Sequence, residues 1–165
     1  MVKHKIYLKR RRQNVGEPGV TSLCRRTIKA TLQMEGVTVP CEIAVLFTDD
    51  AGIAALNLEH RGKNEPTDVL SFPTNTYTPG KFRAKPEDIS PQSGCLHLGD
   101  IILSDDRVQA QAKEFGHAPT RELAYLMVHS TLHLLGYDHD DIKDKEAMRE
   151  REEKILRDLG ITREL

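Results

Sequence analysis

Apolar residues change their spacing several times along the chain, and each change marks an element. Over residues 2–8, Ile6 and Leu8 alternate with Lys5, Tyr7 and Lys9. That is the two-residue period of a strand wet on one side, so it predicts a short edge strand. Beyond the glycines at 16 and 19, Val20, Leu23, Cys24, Ile28 and Leu32 recur at helical spacing until Gly36 stops the run. Residues 41–48, Cys-Glu-Ile-Ala-Val-Leu-Phe-Thr, turn apolar on both faces toward their end, the mark of a central strand. Asp49 or Asp50 then caps a short helix carrying Ile53, Leu56 and His60.

A polar turn at 61–66 leads into a strand at 68–72, which Pro73 closes. Residues 73–95 hold four prolines and no clear period, so they read as a long surface loop. Leu96 to Leu103 is a strand, and Gly99 inside it predicts a bulge or a close approach of substrate. Ser104 or Asp105 caps the next helix, with Val108, Ala112 and Phe115 turned inward. Pro119 suits the first turn of a further helix whose apolar residues are almost continuous from Leu123 to Leu135. The last helix, from about Asp141 to Leu159, has only the narrow stripe Met148, Ile155 and Leu159 and reads as largely solvated. No repeat appears, and the pattern predicts one α/β domain over residues 1–165, a small mixed sheet covered by about five helices.

The near-continuous helix carries the chemistry. His129 and His133 lie four residues apart, which stacks both imidazoles on one helical face about 6 Å apart along the axis. Gly136 fits a helix stop, after which the chain can turn and bring His139 back to the other two. Three neutral imidazoles with no fourth protein ligand suit a catalytic zinc, which keeps one position for water or substrate. The alternatives are a structural zinc closed by Cys95, His97 or Asp138, or three core histidines satisfied by their neighbours. In zinc hydrolases of the His-Glu-x-x-His type a glutamate after the first histidine is the general base, but here Ser130 follows it. A peptidase reading therefore lacks its base.

Composition narrows the classes further. At 165 residues, 38 % hydrophobic and 30 % charged without tryptophan, the chain fits a globular domain with an aliphatic core. It offers no apolar run long enough for a membrane and no signal-peptide pattern, which predicts a cytoplasmic protein. Cys24, Cys41 and Cys95 are odd in number and scattered, so buried thiols are expected rather than disulfides. The formal net charge of −1 is uneven: residues 1–36 carry nine Lys/Arg against Glu17 and Glu35. That balance of +7 either binds a polyanion, with Lys9, Arg10, Arg11 and Arg12 in contact, or protects a strand edge.

Taken together these residues resemble the bacterial YbeY family of zinc-dependent endoribonucleases. The resemblance rests on His129-x-x-x-His133-x-x-x-x-x-His139 with its Leu134-Leu135-Gly136-Tyr137-Asp138 link, on Leu56-Asn57-x-x-x-Arg61-Gly62-Lys63 running into Thr67-Asp68-Val69-Leu70-Ser71-Phe72-Pro73, and on Leu98-Gly99-Asp100-Ile101. It implies a zincin-like metal-hydrolase architecture, one Zn2+ per chain on His129, His133 and His139, and a functional arginine at Arg61. It also implies a cleft for single-stranded RNA, action in 16S ribosomal RNA 3′ end maturation and ribosome quality control, association with the small ribosomal subunit, and no DNA substrate. His60 stands where an aromatic residue is expected before the arginine, and Ser130 where glycine is common. Asp68 and Asp100 stay open as caps, partners of the metal ligands or partners of Arg61. The competing functions are a non-catalytic ribosome-assembly or RNA-binding factor with a structural zinc, and a metallopeptidase.

Overall fold

A computed structural model describes residues 2–10 and 19–161. Arg11 and Arg12, half of the basic cluster singled out above, lie outside the described residues. Four strands form one mixed sheet in the order β1-β2-β4-β3: β1 (Lys5–Arg10), β2 (Cys41–Thr48), β3 (Val69–Pro73) and β4 (Leu96–Ser104). β1 and β4 run parallel to β2, whereas β3 runs antiparallel to β4 along the far edge. The helices are α1 (Val20–Met34), α2 (Asp50–Arg61), α3 (Asp105–Phe115), α4 (Pro119–Leu134) and α5 (Ile142–Asp158).

Burial assigns each face its cover. Ile6, Ile43, Val45 and Phe47 on β1 and β2, with Leu96, Leu98, Ile101 and Leu103 on β4, join Ile28 and Leu32 of α1 and Leu126, Met127 and Leu132 of α4 in the main core. On the opposite face Ile53 of α2 packs with Leu70 of β3 and Ile102 of β4, and Leu46 of β2 borders them. α4 is buried nearly all round, as its unbroken apolar composition requires. The expected caps form: Asp49 accepts from the Gly52 amide at 2.8 Å and Ser104 from the Arg107 amide at 3.3 Å. All three cysteines are free and buried.

Three expectations need correction, the first being Phe115, expected to turn inward but 62 % exposed at the end of α3. The stretch after Pro73 is more than a surface loop, because it contains a short 3-10 turn at Pro86–Asp88 and packs Tyr77, Phe82 and Ile89 against the main core. α5 is less solvated than its stripe predicts, since Glu152 and Leu156 are buried along with Met148 and Ile155. No helix among the described residues is long and apolar enough to cross a membrane.

Both conspicuous glycines mark close approaches rather than turns alone. A Cβ on Gly99 would stand 2.3 Å from the Phe72 carbonyl oxygen of β3 and 2.8 Å from Leu134 of α4. One on Gly136, at φ +99°, would stand 2.0 Å from the Tyr77 carbonyl oxygen. Gly136 thus lets the 74–95 segment lie against the end of the histidine helix. Gly136→Ala is expected to cost more stability than Gly116→Ala, where φ is +72° but nothing lies within 4 Å of the new Cβ. The control bears only the left-handed penalty of about 1–2 kcal/mol, whereas at Gly136 backbone must also move. Equal drops in melting temperature would show that the approach of Tyr77 is immaterial.

Candidate metal centre

The last two turns of α4 and the five residues after it bring three imidazoles together. His129 and His133 share a helical face, and the turn at Leu135 and Gly136 carries the chain back so that His139 completes the group. One ring nitrogen from each histidine lies within 4.8 Å of the other two. His129 and His133 are half-buried and His139 is exposed, so the cluster opens to solvent on one side.

The outer nitrogens decide the tautomers. His133 Nδ1 is 2.8 Å from the Tyr137 carbonyl oxygen, which can only accept, so Nδ1 carries the proton. His129 Nδ1 is 2.9 Å from Glu152 Oε1, a carboxylate with the same requirement. Both Nε2 atoms are then left as lone-pair acceptors, yet they face each other at 3.1 Å. Two lone pairs at that distance repel unless a cation lies between them. The spacing is close to the ligand separation of about 3.3 Å that zinc–nitrogen bonds of about 2.0–2.1 Å impose in a tetrahedron. Burial, with the neighbouring His129 and His139 rings, pushes His133 down to about 4, so its ring is neutral and free to bind a metal.

Glu152 is the residue that sequence reasoning missed. It sits among charges on α5, where a carboxylate reads as solvated, yet it is buried and accepts a hydrogen bond from the His129 Nδ1–H. Removing its charge weakens the fixing of that ring. Glu152→Gln is expected to raise the zinc Kd about tenfold, at the lower end of what outer ligand partners contribute, while leaving the fold intact. Unchanged affinity in a chelator competition would reduce Glu152 to a packing residue.

The turn is held by its own anchors. The Tyr137 hydroxyl donates to Glu35 at the end of α1, and Arg151 of α5 pairs with the same carboxylate. His139 donates its amide to Asp138 Oδ1 at 2.8 Å, which holds the Asp138 carboxyl below its ordinary range. Of the proposed fourth ligands, Cys95 is buried elsewhere and His97 faces Glu42 and Asp100 at 3.8 and 3.6 Å. Among the described residues, Asp138 groups with His139 and Asp140 and not with all three histidines.

A cleft of about 750 Å³ runs from the histidines to Arg61, with Asp68, Ser71, Phe72, Asn75 and Tyr77 along it. Arg61 is the last residue of α2, placed there because Gly62 takes the left-handed conformation and stops the helix. The guanidinium is exposed and makes no hydrogen bond or ion pair with the described residues. Asp68 instead accepts from its neighbour Val69 at 2.8 Å and from Gln111 at 3.3 Å, and Asp100 lies by His97 outside the cleft. Neither is a partner of Arg61. Ser130 is fully buried and its hydroxyl has no partner, so the position of the missing base does not face the cleft.

Comparison with known proteins bears on this geometry. Residues 5–160 match the family profile described as Endoribonuclease YbeY. The chain belongs to the YbeY family. It is 48 % identical over 149 residues to the Endoribonuclease YbeY of Roseiflexus sp. (strain RS-1), covering 87 % of this chain and 86 % of that one. The Caldanaerobacter subterraneus subsp. tengcongensis YbeY is 40 % identical over 162 residues, covering 96 % and 99 %. The solution structure of TM1509 from Thermotoga maritima superposes with a TM-score of 0.56 at 22 % identity, covering 94 % and 91 %, which shows the shared fold. The YbeY match spans α4, the turn to His139 and the α2 terminus that carries Arg61.

Proposed function

We propose that this protein is a zinc-dependent endoribonuclease that cuts single-stranded RNA, one domain over residues 1–165 with His129, His133 and His139 as the metal ligands. The observation that carries the metal is the 3.1 Å approach of two Nε2 atoms whose rings each turn Nδ1 to an acceptor, and family membership carries the substrate class. When bound, zinc supplies Lewis acidity toward a phosphate oxygen and lowers the pKa of water to about 7. The chain's own groups do the rest. Glu152 and the Tyr137 carbonyl hold two rings in the tautomer that leaves Nε2 free. Arg61, across the cleft and unengaged, can grip the scissile phosphate through two oxygens and counter the charge that builds there.

The edge of β3 supplies a further contact. The Ser104 amide donates to the Asp68 carbonyl and the Thr74 amide to the Leu98 carbonyl, so alternate residues between them turn away from β4. Ser71 thereby presents its N–H and C=O to the cleft, where the edge of a base can meet them. The attacking oxygen, water or the neighbouring 2′-hydroxyl, is read from the product ends, since only the second leaves a cyclic phosphate.

The resemblance further supports ribosomal RNA, including the 16S 3′ end, as the substrate, with the small ribosomal subunit as partner, a part in ribosome quality control and the cytoplasm as the site of action. The metallopeptidase alternative has no base, because Ser130 stands where that motif needs glutamate. Purified protein tested against unstructured RNA and unstructured polypeptide separates the readings. Zinc-dependent cutting of RNA alone is expected. RNA binding without cleavage favours the assembly factor.

A further inference from the structure

The covered and uncovered parts of the second sheet face differ in character. α2 shields that face over β3 and β4, with Leu46 of β2 at the rim of the same cluster, whereas Tyr7 and Lys9 of β1 stay exposed. Register aligns two rows of side chains across all four strands on this face. One is Tyr7, Ala44, Asp100 and Phe72, and the next is Lys9, Leu46, Ile102 and Leu70. All of these but the buried Leu70, together with His60, line a shallow apolar groove of about 430 Å³. Tyr7 is 49 % exposed, and the His60 ring rests on Phe72 with centroids 4.9 Å apart.

Along β1 the residues turned to this face are Lys5, Tyr7 and Lys9, all exposed, while Ile6 and Leu8 turn to the core. A cation, an aromatic ring and a cation in alternation is the composition of a single-strand nucleic-acid track, in which rings stack bases and ammonium groups meet phosphates. The groove also adjoins the metal cleft. Phe72 lines both, and His60 of the groove is next in sequence to Arg61 of the cleft. Three strand spacings of about 4.8 Å separate Tyr7 from Phe72, a span of about 14 Å. Two carboxylates share the face, Asp100 at 3.6 Å from His97 Nε2 and Glu42 at 3.8 Å from His97 Nδ1.

We propose that this open sheet face is a second segment of the RNA-binding surface, where Phe72, His60 and Tyr7 stack bases of the strand beyond the metal cleft and Lys5 and Lys9 hold its phosphates. The inference rests on the cleft being an RNA site. It places the sequence's basic N-terminal third, as far as β1 shows it, in the path of the substrate. His60, where the family resemblance leads one to expect an aromatic residue, then acts on the groove side as a stacking ring.

The test is kcat/KM for a series of unstructured RNAs of increasing length, with wild type and the Tyr7→Ala/Lys9→Gln double variant. Neither residue touches the metal cleft or the core. Wild type should gain with length until the RNA spans both segments, whereas the double variant should lose about tenfold on long RNAs and match wild type on the shortest. Tyr7→Phe, which keeps the ring, should behave as wild type, and Lys9→Gln alone should lower the salt slope by about 0.7. Parallel length curves for wild type and the double variant would overturn the inference while leaving the cleft reading intact. Failure of wild type to cut RNA of any length would overturn both.

Discussion

Replacing His129, His133 or His139 singly with alanine removes stoichiometric zinc, and cleavage goes with it. Two imidazoles cannot hold the ion as three do, and no fourth protein ligand among the described residues stands ready to substitute. The His133 change should be the most complete, because its ring lies at the centre of the group, 4.6 Å from the His129 ring and 4.9 Å from that of His139. Stability follows the same path. Metal that binds only the folded state adds RT ln(1 + [L]/Kd), about 2.7 kcal/mol at a hundredfold excess over Kd. For a chain of this size that corresponds to a rise of about 5–10 °C in melting temperature on adding zinc. The alanine variants should show no such rise. Three variants that each retain one zinc per chain would contradict the ligand assignment.

Arg61→Ala has the opposite signature, full zinc and an intact fold with activity lost by about a hundredfold or more. The residue is exposed at a helix end and bonds to nothing among the described residues, so removing it disturbs no packing. What it removes is a donor aimed at charge that develops during transfer, and donors of that kind are worth about two to three orders of magnitude in kcat. Arg61→Lys should recover only part, because an ammonium is a point charge and cannot hold two phosphate oxygens in one plane. A purely structural role for Arg61 predicts earlier melting of both variants, with normal activity in the molecules still folded. Zinc content, melting temperature and single-turnover cleavage on the same samples separate the two.

Much of the site was legible in the sequence because its signals are local. The four-residue spacing of His129 and His133 needs only helical geometry, and Gly136 followed by His139 needs only a helix stop and a short return. Gly99 reads as a close approach for the same reason, although the group that comes near is the Phe72 carbonyl and Leu134 rather than substrate. What stayed hidden depends on contacts between segments far apart in the chain. Glu152 looks like one more charge on a polar helix until α5 lays it against His129, 23 residues earlier. The 74–95 segment has no periodicity because it packs through single side chains, Tyr77, Phe82 and Ile89, and not through a face. The open sheet face is invisible along the chain, since the row from Tyr7 to Phe72 exists only once four strands are in register.

Titrating zinc into metal-stripped protein while following cleavage of a single-stranded RNA tests the central claim most directly. Stripped protein should be inactive yet folded, and cleavage should rise in proportion to added zinc and level off at one equivalent per chain. Cleavage that survives stripping, or one bound zinc per chain with no cleavage at all, would contradict it.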